Sequence, residues 1–135
     1  MAADGGGSRH VEQRTNEADI AAVTETVRAY YEGSMAGDAV QLGAAFHPRA
    51  WIVGNEHGEL YWATVDEYVA ECRSLVPQAG PHEWRIEALS FVGDTALVRL
   101  VGQFAGVWYS DDLSLLRIDG VWRIVHKTFH PLPGS

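Results

Sequence analysis

Apolar residues recur at helical spacing through the first half of the chain and at strand spacing through the second. Between residues 16 and 34, Ile20, Val23, Val27, Tyr30, Tyr31 and Ser34 share one face of a 3.6-residue period, behind Asn16 as N-cap and Asp19 as a first-turn acid. The spacing predicts a helix ended by Gly33 and Gly37. Asp38, with Gln41 at the capping-box position, predicts a second, short helix that buries Leu42, Ala45 and Phe46 and is stopped by Pro48. A short strand from Trp51 to Val53, a turn over 55–58 and a return strand from Leu60 to Trp62 come next. Thr64 and Glu67 form a capping box for a third helix, with Val65, Tyr68, Val69, Cys72 and Val76 on its buried stripe and Pro77 at its end.

From His82 onward the period becomes 2. Trp84, Ile86 and Ala88 alternate with Glu83, Arg85 and Glu87, the mark of a half-buried strand. Gly93-Asp94 turns into a strand with Ala96, Val98, Leu100, Gly102 and Phe104 on one face. A third strand runs from Val107 to Ile118, and Asp119-Gly120 is a strong hairpin signal leading to a fourth, Val121 to His130. Helices first and long consecutive strands afterwards imply segregated α+β layers. Gly102 and Gly106 are places where a long strand can bend. Residues 16–132 read as one domain. The glycine-rich, charged stretch 1–15 reads as a disordered tail.

Composition narrows the function classes. With 47% hydrophobic residues, 135 residues suffice for a real core. A net charge of −8 opposes a phosphate-binding surface, so no nucleic-acid partner is expected. No apolar run reaches the roughly 18 residues of a membrane span. The N-terminus has no signal-peptide core, and Cys72 is the single cysteine; a cytoplasmic, membrane-free protein is the expectation.

Three segments carry a family likeness: VRAYYEGSMAGDAVQLGAAFHPRA, GELYWATVDEY and YSDDLSLLRIDGVWRIVHKTF. With the order of elements, they resemble the nuclear transport factor 2-like superfamily over residues 17–130, most of all the branch called lumazine-binding or SnoaL-like (polyketide cyclase-like). The resemblance implies a cone-shaped bent antiparallel sheet packed on three N-terminal helices, with a pocket inside. That superfamily also holds ketosteroid isomerases and dehydratases, so the fold alone does not set the chemistry.

Candidate site residues follow from both readings. By period 2, Trp122, Ile124, His126, Thr128 and His130 share a face of the last strand, so the core-type Trp122 and Ile124 take His126 inward as a candidate acid or base. On the preceding strand, Ser110, Asp112, Ser114 and Leu116 share one face and Asp111, Leu113, Leu115 and Arg117 the other. Leucines on both leave the inward acid open between Asp111 and Asp112. The lumazine-like motif matches Asp111, whereas the isomerase register puts Ser114 at an inward acid's position and so turns Asp112 inward; Asp112 is the acid taken to pair with His126. Alignment with the isomerases also places Tyr30 at their hydrogen-bond-donating tyrosine, and their catalytic carboxylate at Gly54. That base is missing, so steroid isomerisation does not carry over.

Among the five tryptophans, Trp62, Trp84 and Trp108 are candidates for a planar-ligand wall, joined by Ser114 and His130; Trp62 and Trp108 also suit a subunit contact. His126 and His130, about 13 Å apart along one strand, are too distant to share an ion, and no metal or cofactor is expected. The leading expectation is a cofactor-independent cyclase, isomerase, dehydratase or hydrolase acting on an apolar or aromatic metabolite, with Asp112, His126 and Tyr30 at its centre. The alternative is a non-catalytic ligand-binding or assembly domain. Either way, apolar residues on the outer sheet face predict a homodimer.

Overall fold

The computed structural model describes residues 5–134, with side chains from Glu17 onward. Three helices, α1 (Gly5–Ala36), α2 (Ala39–Ala45) and α3 (Val65–Ser74), alternate with and then give way to six strands. These are β1 (Phe46–Glu56), β2 (Glu59–Thr64), β3 (Trp84–Val92), β4 (Thr95–Phe104), β5 (Val107–Ile118) and β6 (Val121–Pro131). One sheet has the order β2-β1-β6-β5-β4-β3. Every neighbouring pair is antiparallel except β1 with β6, the first and last strands of the chain, which run parallel. This is the expected α+β layering. Residues 1–4 of the expected tail lie outside the described residues, and its remainder falls on the first turns of α1, which runs through Asn16 without a cap there.

Local chemistry accounts for the elements. Asp38 accepts hydrogen bonds from the Val40 and Gln41 amides and starts α2. Thr64 and Glu67 complete the reciprocal capping box of α3. Val23, Val27, Tyr30, Tyr31 and Met35 of α1, Leu42 of α2, and Tyr68 and Cys72 of α3 are buried against Leu100, Leu113, Leu115, Trp122 and Ile124 of the sheet. Buried Asp19 ties α1 to the sheet by accepting from Trp122 Nε1 (3.2 Å) and pairing with Arg117 (3.0 Å). Two expected core positions are corrected. Ile20 faces outward on α1, and Val76 is exposed because α3 stops at Ser74. Phe46 is buried as expected, but as the first residue of β1, which starts before Pro48 and is far longer than 51–53.

Two bulges decide which residues face inward. In β3, Ile86 pairs with Leu100 and Ala88 with Arg99, leaving Glu87 as an extra residue. Beyond it Leu89 and Phe91 pack on the core and Ala88 is exposed, contrary to strict alternation. In β6, Ile124 pairs with Leu115 and His126 with Ser114, so Val125 is extra. Beyond it the inner face passes from even to odd positions, to Lys127 and Phe129. Gly106 lies in the β4–β5 turn at φ +82°, so it closes the hairpin and does not bend a strand. Gly102 admits the Tyr31 ring, whose Cε1 would lie 2.9 Å from any added Cβ.

Candidate active site

The concave face of the sheet and the helices enclose a small cavity of about 40 Å³, room for a few waters or the reactive end of a small molecule. Tyr30 and Ser34 of α1, Tyr68 and Glu71 of α3, Asp111 of β5 and Lys127 and Phe129 of β6 line it.

Asp111 shares the inner face of β5 with Leu113 and Leu115 and is only 7% exposed. One carboxylate oxygen accepts a 2.6 Å hydrogen bond from the Tyr30 phenol. Burial raises the Asp111 pKa above the ordinary carboxylate value, and the positive charge of Lys127 and the Tyr30 hydrogen bond oppose that rise. Burial likewise pushes the Tyr30 and Tyr68 phenols well up.

Lys127, 5% exposed, is the chain's single lysine; every other cationic side chain is an arginine. Its Nζ donates to Tyr68 Oη at 3.3 Å and sits over the rings of Tyr68 (4.4 Å), Tyr30 (4.8 Å) and Phe129 (5.2 Å). Among the described residues no carboxylate lies within ion-pair distance of it. The polar chain beyond Lys127 has one direction. Ser34 Oγ donates to the Tyr30 carbonyl at 2.8 Å, which spends its only proton. At the 2.8 Å contact between Ser34 and Tyr68 the phenol is therefore the donor, and its oxygen accepts from Lys127. Gln78 fixes the far end by donating to the Ser34 carbonyl and accepting from the Ala105 amide.

Nearer the rim, the Tyr109 phenol donates to Glu56 (2.5 Å) and the Tyr61 phenol to Glu71. Burial pushes both phenols up, and Tyr31, donating to the Gln103 carbonyl, up to about 12. At Gly54 the Phe129 ring lies flat on the backbone, 2.5 Å from where a Cβ would be. The strand thus has no space for the side chain that isomerases place there.

Of the expected site residues, Tyr30 is in the cavity. The inward placement of Asp112 is corrected: it projects from the outer face, where Arg99 grips both its oxygens (2.7 and 2.8 Å) and its hydrogen bond to Arg99 lowers its pKa. The inward placement of His126 is corrected too, because the Val125 bulge turns it outward opposite Ser114. Ser114 and His130 share that outer face, the latter opposite Ser110. Trp84 packs at a tilt on Tyr31 outside the cavity, and Trp108 lies beside Arg85 in a shallow groove with it. Trp62 is 57% exposed and packs edge-to-face on Trp51 at 6.0 Å. Lys127 went unrecognised as a site residue, as did the roles of Tyr68, Glu56, Glu71, Tyr61 and Tyr109. Two signals point to Lys127: it is the sole lysine, and the bulky residues of β6 change parity between Ile124 and Phe129. Among the described residues no three potential metal ligands come together, and no helix is long and apolar enough to cross a membrane.

Residues 18–130 match the family described as putative lumazine-binding. A nuclear transport factor 2-like protein from Silicibacter pomeroyi superposes with a TM-score of 0.83 at 32% identity, covering 87% of this chain and 98% of its own. Another from Methylobacillus flagellatus gives 0.74 at 30% identity, over 84% and 92%. A ketosteroid isomerase-like protein from Erwinia carotovora atroseptica (TM-score 0.66, 15% identity, 83% and 95% covered) shares the fold alone. Among curated proteins, aldolase FrzH from a Cladobotryum species is 26% identical over 114 residues, 83% of this chain and 90% of the aldolase.

Proposed function

The chain belongs to the lumazine-binding family of nuclear transport factor 2-like proteins, and from that premise we propose that it is a cofactor-independent enzyme that moves a proton at the carbon beside a small carbonyl group. The observation that carries this reading is the burial of Asp111 and Lys127 on one cavity, each hydrogen-bonded to a different phenol. Asp111, its pKa raised by burial, is the base. The Lys127 ammonium stabilises the electron-rich oxygen or nitrogen that develops when the proton leaves, and Tyr68, accepting from Nζ, holds the ammonium in place. Tyr30 orients Asp111. Such an intermediate is common to aldol cleavage, isomerisation and dehydration, and an aldolase is among the relatives. The aromatic wall suits an uncharged, apolar substrate.

A second reading, a non-catalytic binding domain, is favoured by the completeness of the network: among the described residues no buried side-chain polar atom lacks a partner. Exchange of α-hydrogens for deuterium in small ketones and aldehydes, followed by NMR, separates the two. Catalysed exchange that disappears in Asp111→Asn supports the enzyme. Perturbed ligand resonances with no exchange in the wild type support the binding domain.

A further inference from the structure

We propose that Lys127 acts covalently: its amine condenses with the carbonyl carbon of a small uncharged aldehyde or ketone to form an imine. The inference rests on the proton-transfer reading and names the substrate class and the bond formed.

The chain uses arginine at every other cationic position and lysine only here. A guanidinium serves exposed ion pairs such as Arg99 with Asp112, but it stays protonated and does not condense with carbonyls. A buried lysine kept for packing is normally paired with a carboxylate. Lys127 instead has three ring faces and one long hydrogen bond around its Nζ, on the wall of a cavity. Desolvation among aromatic rings is one of the environments in which lysine becomes a nucleophile.

The remaining groups complete the chemistry. The Lys127 ammonium gives one proton to the carbonyl oxygen, and the lone pair so freed adds to the carbonyl carbon while Tyr68 Oη, 3.3 Å from Nζ, accepts from a remaining N–H. Overall, an ammonium and a carbonyl compound give a protonated imine and one water, two of the three amine protons leaving with the oxygen; no oxidant or reductant enters. Loss of the adjacent C–H proton to the Asp111 carboxylate then gives an enamine and a neutral carboxyl group. The cavity volume restricts the bound part to a few heavy atoms, and Glu56 and Glu71 on its wall disfavour anionic keto acids.

Having one lysine makes the test direct, since Lys127 and the N-terminal α-amine are the only amines in the chain. Folded protein is incubated with acetaldehyde or acetone and sodium cyanoborohydride, and adducts are mapped by peptide mass spectrometry. The expected result is a reduced adduct on Lys127 that forms faster than on the N-terminal α-amine, and loss of that preference in urea. The adduct is expected to persist in Asp111→Asn, where deuterium exchange is lost. An adduct on the α-amine alone in folded protein overturns the imine. If Asp111-dependent exchange continues in that case, the proton-transfer reading survives without it. An adduct on Lys127 without any exchange sustains the imine and overturns the base assignment. Lys127→Arg and Lys127→Met serve as blanks, and the wild-type result stands even if neither folds.

Discussion

The phenol of Tyr30 donates a buried 2.6 Å hydrogen bond to the carboxylate of Asp111, 81 residues further along the chain. It joins the C-terminal part of α1 to the inner face of β5 and fixes the carboxylate's rotation. The second carboxylate oxygen has no protein hydrogen bond among the described residues and is left to the cavity. A carboxylate held on one side and open on the other is the geometry a general base needs.

Activity is expected to fall as pH falls, with a midpoint above the ordinary carboxylate range, because burial raises the Asp111 pKa and only the ionised form accepts a proton. Asp111→Asn should reduce kcat/KM by roughly 10²–10⁴-fold. The same shift has a stability consequence. Between the unfolded and folded pKa values the native state binds more protons than the unfolded chain, so this group's contribution to stability falls as pH rises through that window. Lowering the pH from neutral toward the usual carboxylate range should therefore move the wild-type Tm upward relative to that of Asp111→Asn. A difference that moves the other way contradicts the assignment.

Asp111 and Lys127 should be energetically coupled although they do not touch, since the ammonium's field lowers the carboxyl pKa. Either Asp111→Asn or Lys127→Met leaves a buried charge less compensated. In a double-mutant cycle by urea denaturation we expect the double variant to be more stable than the sum of the single losses predicts, with an interaction of about 1–2 kcal/mol. Strict additivity would mean that the cavity screens the two charges from each other.

The outer sheet face presents Trp51 and Trp62, packed edge-to-face, beside exposed Leu60. We expect a homodimer through this face, read as a doubled mass by light scattering at micromolar concentration, and a monomer in Trp62→Lys. A monomeric wild type removes the dimer; a dimer that tolerates the substitution moves it to another surface.

The sequence made the fold legible because caps and periodicity are local: Asp38, Thr64 with Glu67 and the period-2 runs need no knowledge of what they pack against. Tyr30 was legible for the same reason, lying mid-stripe on a well-marked helix. Asp111 against Asp112 was not, because leucines flank both, and which leucine is buried depends on the partner strand. His126 was misplaced because strict alternation carries Trp122 and Ile124 to it, whereas Val125 adds one residue that β5 does not match. The trace of the bulge is the odd-numbered Phe129 after the even-numbered Trp122 and Ile124, and β3 repeats it with Leu89 and Phe91 after Trp84 and Ile86.

Deletions at the bulge test register as the device that puts the amine in the cavity. With Val125 removed, Ile124 and His126 become neighbours opposite Leu115 and Ser114, themselves neighbours, so plain alternation keeps Trp122, Ile124, Lys127 and Phe129 inward and His126 outward. This deletion should cost about 1–3 kcal/mol through lost local twist and leave α-proton exchange intact. Removing Val125 and His126 together instead makes Lys127 the neighbour of Ile124. Alternation then either expels Lys127 and Phe129 or draws Trp122 and Ile124, both buried, out of the core. The double deletion should cost more than about 4 kcal/mol, the range of severe lesions, and abolish exchange. Equal losses of Tm and exchange in the two variants would show that the bulge itself, and not the register it sets, places the amine.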